Sequence, residues 1–212
     1  MKKVEINLCG NPTIFADGEK VNFPYKKVEG FLYYLCIRKT VTREEVICLL
    51  WGDEDETTGK KKLRDAVYQV RRFIDKDTGI ALNPDYPVMI DLERREDGDV
   101  GQSGVFLDHF YIKNCYEFEE WVEGVREGQR QNISKSAREH LDDAREKNDL
   151  SLIQKYSNIL IKNDPYNEEL YYEIMNVYAE NGNYTMAIRL YYDLMKLFQD
   201  DLDMEPSQKV KD

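Results

Sequence analysis

Gly59–Ile74, GKKKLRDAVYQVRRFI, is the stretch that decides how the chain is read. Placed on a helix, Leu63, Ala66, Val67, Val70 and Ile74 form one apolar stripe. Lys61, Arg64, Asp65, Tyr68, Gln69 and Arg72 fall on the other side. That face carries long hydrogen-bond donors and one aromatic ring, the side-chain types that reach phosphates and base edges in a DNA major groove. Taken alone, such a face is an ordinary solvated helix surface. Its neighbours along the chain change the reading.

Immediately upstream, Gly52-Asp53-Glu54-Asp55-Glu56 ends a preceding helix, and Thr57 or Thr58 can cap the basic one. The preceding helix opens at Thr42, with Glu45 three residues on as a capping box, and runs through Val46, Leu49, Leu50 and Trp51. Before that, Pro24 opens a helix from about Tyr25 to Arg38, with Val28, Phe31, Leu32, Leu35 and Cys36 at helical spacing. At the start, Val4, Ile6 and Leu8 alternate with polar residues. Thr13–Phe15 and Lys20–Phe23 follow turns at Gly10-Asn11-Pro12 and Asp17-Gly18, so three short antiparallel strands are expected. Downstream, Gly79 closes the basic helix. Ile80–Leu82 and Val88–Leu92 flank Asn83-Pro84-Asp85-Tyr86-Pro87, which reads as a hairpin. Three helices, the last long and basic, followed by a β-hairpin, predict a winged helix-turn-helix.

The net charge of −11 is unevenly distributed. Residues 1–80 hold 15 Lys/Arg and 13 Asp/Glu, a net +2; residues 81–212 hold 15 and 28, a net −13. Because charge acts over a Debye length of about 8–10 Å, an acidic second part leaves a locally basic face able to meet DNA. No apolar run approaches the roughly 18 residues needed to span a bilayer, and MKKVEINLCG lacks a signal-peptide apolar core, so no membrane partner and a cytoplasmic location are expected. Cys9, Cys36, Cys48 and Cys115 form no CxxC pair, and with only His109 and His140 they make no zinc set. Asp53–Glu56 lacks calcium-loop spacing with a central glycine. Asp108-His109 lacks a nucleophile or third partner, and no phosphate-cradling glycine motif is present. No enzyme activity, metal or cofactor is expected.

Glu93–Gly104 reads as a long polar loop, and the aromatic-rich Phe106–Phe118 as packing between two domains, with a helix from about Tyr116 to Arg126. Beyond Gln129 the pattern is helical and repeats. An offset of 34 residues brings Lys147-Asn148-Asp149 onto Asn181-Gly182-Asn183 and Leu160 onto Leu194. Tyr171, Ile174, Tyr178, Ala187, Tyr191 and Leu194 have tetratricopeptide spacing, with the small Ala187 allowing close helix approach. The units run about Ser134–Asn167 and Glu168–Asp201; in the first, Ala137 and His140 stand where large apolar residues are expected. The fold class is thus an α+β winged helix-turn-helix followed by an all-α tetratricopeptide-like domain. The domains are expected at 1–95 and 115–212, joined by a 96–114 linker.

With both halves read, the chain resembles the Streptomyces antibiotic regulatory protein family of transcriptional activators. In the first half the resemblance rests on LCGNPTIF, DGEKVNFPYKK, TREEVICLLWGDED and KLRDAVYQVRRFI, the last similar to an OmpR-type recognition helix. In the second it rests on NDPYNEELYYEIMNVYAENGNYTMAIRLYYDLMKLFQDDLDMEPS, which resembles the bacterial transcriptional activation domain. The resemblance implies double-stranded promoter DNA with direct repeats, binding as a homodimer or side by side, and recruitment of RNA polymerase. It implies that Lys61, Lys62, Arg64, Asp65 and Gln69 approach bases, and that Tyr68, Arg71 and Arg72 approach phosphates. Asn83 to Tyr86 would form the wing tip; it carries no Lys or Arg, so weak minor-groove contact is expected there. The chain stops at SQKVKD, where the resemblance implies a further helix, as the N-terminal part of a longer regulator would. The rival reading is an interaction scaffold, in which the acidic repeat domain holds a peptide or protein partner and no DNA is bound.

Overall fold

In the computed structural model, which describes residues 4–75, 80–83, 88–91 and 104–211, the chain divides into two units, residues 1–127 and 128–212. The first begins with an antiparallel meander of β1 (Val4–Asn7), β2 (Thr13–Ala16) and β3 (Glu19–Lys20), in register Val4 to Ala16 and Ile6 to Ile14. Asp17 and Gly18 both take positive φ, 55° and 85°, the backbone that a two-residue hairpin turn requires.

Three helices follow: α1 (Lys26–Arg38), α2 (Arg43–Trp51) and α3 (Glu56–Val70). The capping box at α2 is formed, with Thr42 Oγ1 accepting from Glu45 N–H and the Glu45 carboxylate accepting from Thr42 N–H. The α3 cap is neither Thr57 nor Thr58 but Asp55, whose carboxylate accepts from Thr58 N–H at 3.0 Å. The helix also stops four residues earlier than its apolar spacing suggests. Arg71 N–H turns back to Tyr68 O and Phe73 N–H to Val70 O, and Ile74 leaves the helix to enter a strand.

That strand relocates the hairpin. β5 (Ile74–Asp75) pairs antiparallel with β6 (Ile80–Leu82), and β6 pairs on its other side with β4 (Thr40–Val41), giving the order β4-β6-β5. β7 (Val88–Ile90) does not pair with β6; it lies parallel to β1, in the order β3-β2-β1-β7. Asp91, directly after β7, holds this join by accepting from Leu8 N–H (2.7 Å) and Cys9 N–H (2.9 Å). The expected hairpin of 80–82 with 88–92 is therefore corrected to β5–β6. The residues joining those strands in sequence are Lys76-Asp77-Thr78-Gly79, outside the described residues, and they include a lysine where the earlier tip had no cation.

Phe106–Phe118, expected to pack between two domains, is part of the core of the first unit. Phe106, Leu107, Phe110, Ile112, Cys115, Phe118 and Val122 are buried in one core with Phe31, Leu32, Leu35 and Leu63. Ring contacts bind the cluster, edge-to-face for Tyr33–Phe110 and tilted for Phe118–Trp121, each with centroids at 5.2 Å. Gly30 makes room for it: a Cβ there would lie 2.7 Å from Ile112 Cδ1 and 3.0 Å from the Phe118 ring.

Tyr34 links α1 to α2 by donating its hydroxyl to Glu45, which also lies 3.5 Å from Arg38. Burial and this bond push the Tyr34 hydroxyl up to about 12, and the same bond holds the Glu45 carboxyl below its usual range. For Tyr34 the stabilisation is full below its unfolded value near 10. It is lost as pH climbs to about 12. Tyr34→Phe should therefore flatten the alkaline limb of a pH–stability curve followed by tryptophan fluorescence; an unchanged limb would refute the coupling.

The second unit is helical. It begins within α4 (Tyr116–Glu146), which starts in the first unit and does not end near Arg126 as expected. Gly124 and Gly128 sit within it facing open space, so they cost helix propensity without forcing a break. After it come α5 (Leu150–Asn163), α6 (Glu168–Glu180), α7 (Tyr184–Leu202) and α8 (Gln208–Lys211). The 34-residue offset is visible in three dimensions. Asn148 and Gly182 both take positive φ, 53° and 72°. Asp149 and Asn183 each cap the following helix, and Leu160 and Leu194 are both buried. Arg138–Glu173 and Arg145–Glu180 ion pairs tie one repeat to the next. Ala137 is fully buried, while His140 stacks on Tyr156 at 5.0 Å, which accounts for both departures from the usual large apolar residues.

Candidate nucleic-acid interface

Gly59, Leu63, Ala66 and Val70 bury one side of α3, and Gly59 lets it sit close to α2. A Cβ at Gly59 would lie 3.0 Å from Ile47 Cγ2, so a side chain there would require the Ile47 side chain to shift. With that side anchored, Lys61, Arg64, Asp65, Tyr68 and Gln69 are exposed together on α3. Lys61, Arg64, Asp65 and Tyr68 point most directly away from the core. Lys62 and Gln69 lie on one flank, and Lys62 pairs with Glu54 of the connecting turn.

Arg71 and Arg72 are not on the helix but on the turn after it. The Arg71 guanidinium lies over the Tyr68 ring, 3.8 Å from its centroid, and donates to Tyr68 O at 3.2 Å. Arg72 stacks on Phe73 at 4.6 Å. Both cations thus stay at the C-terminal end of α3, held by aromatic faces that preorganise them. Asn83 is half-buried, with its N–H donated to Phe73 O, and it follows β6 rather than forming a hairpin tip. Tyr86 lies outside the described residues.

The structure adds residues that the sequence reading did not single out. A groove of about 740 Å³ runs along the Lys62–Gln69 flank, and its other wall holds Tyr25, Lys26, Lys27 and Lys113. The Lys26-Lys27 pair at a helix start was a visible signal, but nothing local connects it to Lys113. Among the described residues no group of three His, Cys, Asp or Glu side chains is placed to hold a metal ion, and no helix is long and apolar enough to cross a membrane.

Residues 116–212 match the family model of the bacterial transcriptional activator domain. No curated protein matches the chain. Among solved structures, the chain is similar to Mycobacterium tuberculosis EmbR in complex with a low affinity phosphopeptide. The TM-score is 0.62 at 16% identity, over 100% of this chain and 64% of that one, so the likeness is one of fold and this chain spans less than two thirds of EmbR's length. The matched stretch 116–212 thus carries the bacterial transcriptional activator domain, and the chain as a whole shares the EmbR fold, an α/β unit followed by a helical one.

Proposed function

We propose that this protein is a cytoplasmic, non-enzymatic transcriptional activator whose α3 reads promoter DNA in the major groove. The observation that carries this reading is the exposed cluster Lys61, Arg64, Asp65, Tyr68 and Gln69 on a helix anchored by the opposite face, with Arg71 and Arg72 beside its end. Arg64 and Gln69 contact base edges; Lys61, Tyr68 and Arg72 fix register on phosphates. The hairpin β5–β6 is the wing. Repeated promoter sites would be occupied side by side or by a homodimer.

Selection of bound sequences from random duplex DNA by the full chain tests the reading, and the spacing of recovered repeats reports stoichiometry. Arg72→Ala should weaken all duplexes about equally and shallow the salt slope by ~1, whereas Gln69→Ala should relax base preference with little change of slope. Absence of any duplex binding that salt weakens would sink the reading.

The second unit is assigned contact with RNA polymerase or another protein. Support comes from Tyr184, Ile188 and Tyr192, spaced four apart along α7 and 64%, 57% and 66% exposed. An aromatic strip of this kind on a repeat surface suits protein contact. It equally supports the scaffold reading, which capture of a partner by a chain that retains no DNA would favour.

A further inference from the structure

We infer that the DNA interface continues past α3 into the neighbouring groove, where Lys26, Lys27 and Lys113 hold the phosphodiester backbone of one strand. The inference rests on the proposed reading of α3 and names a further contact of the same interface. One wall of the groove is α3 itself, through Lys62, Asp65 and Gln69, so a duplex lying on α3 meets the groove without a gap. The opposite wall carries three more lysines, the adjacent Lys26 and Lys27 and the distant Lys113.

The carboxylates that line the groove are fewer than its lysines, although Lys26 also lies in the field of Glu29 on its own helix. The Lys26 ammonium donates to the carbonyl of Tyr111 at 3.0 Å and that of Lys27 to the carbonyl of Leu50, both neutral acceptors. Each ammonium has three N–H donors, so these bonds fix its position and leave donors for a phosphate oxygen. Of the two carboxylates on the groove, Glu54 is engaged by Lys62. The groove therefore presents net positive charge to its occupant.

The floor narrows the choice of occupant. Val28, Trp51, Ala66 and Ile112 line it, and Tyr25 at the rim is 71% exposed. A free phosphate has no use for an apolar floor. A nucleic-acid strand alternates anionic phosphates with deoxyribose edges that pack against apolar and aromatic surfaces, matching both the lysine rim and the floor. Its continuity with α3 favours a strand over a separate small ligand.

The test uses the full chain and the duplex recovered by selection. Lys26→Ala with Lys113→Ala should shallow the plot of log affinity against log salt by about 2, near 0.9 per phosphate contact, with base preference unchanged. Hydroxyl-radical footprinting should show that the wild type protects sugars beside the α3 site and that the double variant loses that protection alone. Both lysines are exposed, and a thermal melt by circular dichroism confirms that the variant is folded. Arg64→Ala serves as the control for α3. If it weakens binding while the double variant keeps the wild-type slope and footprint, the groove inference is overturned and the α3 reading stands. If the double variant keeps its DNA slope but loses saturable binding of the anionic aromatic probe 8-anilinonaphthalene-1-sulfonate, the groove is a small-anion site and the strand assignment is overturned. Absence of duplex binding by the wild type would remove both readings together.

Discussion

Phe118→Ala is expected to destabilise the first unit by about 3–5 kcal/mol, the usual cost of truncating a buried phenylalanine where the cavity cannot close. The residue is fully buried among Phe110, Trp121 and the backbone of Gly30. These neighbours belong to three different elements, so no single shift fills the space. Trp51 lies in this core and Trp121 packs against it, which makes tryptophan fluorescence in urea a direct readout. A midpoint shift worth less than about 1 kcal/mol would contradict the packing.

The same packing bears on where the first folding module ends. The family match begins at residue 116, yet Phe118 and Val122 of that stretch lie in the core that contains α1 and α3. Arg126 adds a polar tie, donating to the carbonyls of Phe106 (2.8 Å) and Leu107 (3.0 Å). We propose that residues 1–127 are the smallest fragment that folds with native cooperativity. A 1–95 fragment lacks Phe106, Leu107, Phe110, Ile112 and Phe118, and should unfold without a sharp transition. A sharp transition for 1–95 at the midpoint of the 1–127 fragment would refute the boundary.

In the second unit the largest effect is expected from Leu194→Ala, about 2–5 kcal/mol. Leu194 is fully buried against Tyr171, Phe198 and Val210, at the point where α6, α7 and α8 converge. The lost contacts should lower amide protection in α6 and α7 under native-state hydrogen exchange and reduce the melting temperature by circular dichroism. Tyr192→Ala, on the exposed strip of the same helix, should change neither by more than about 0.5 kcal/mol. Equal losses from both variants would mean that the strip is packed in solution.

Local spacing made much of this legible in the sequence. The Thr42–Glu45 capping box, the Asp17-Gly18 turn, the apolar stripe of α3 and the 34-residue repeat all depend on residues a few positions apart, or on a pattern that recurs. Their chemistry acts before any distant partner is chosen. The candidate DNA-facing side chains of α3 were legible for the same reason, because a helix with one buried stripe must expose the other.

Tertiary structure decided what local spacing leaves open. Ile74 fits the helical stripe equally well, but its backbone hydrogen-bonds to β6, so the helix stops at Val70 and Arg71 and Arg72 move onto a turn. β6 and β7 looked like one hairpin, yet each found a different sheet, because strand partners are set by which edge is free and which apolar side chains are buried there. The aromatic stretch after residue 104 joined the first core through ring contacts with α1, residues more than seventy positions away. The groove that places Lys113 beside Lys26 and the flank of α3 arises in the same way. The sequence alone therefore determined a basic amphipathic helix and the repeat behind it; where that helix ends, which strands pair after it and which cations stand beside it depended on contacts between residues far apart in the chain.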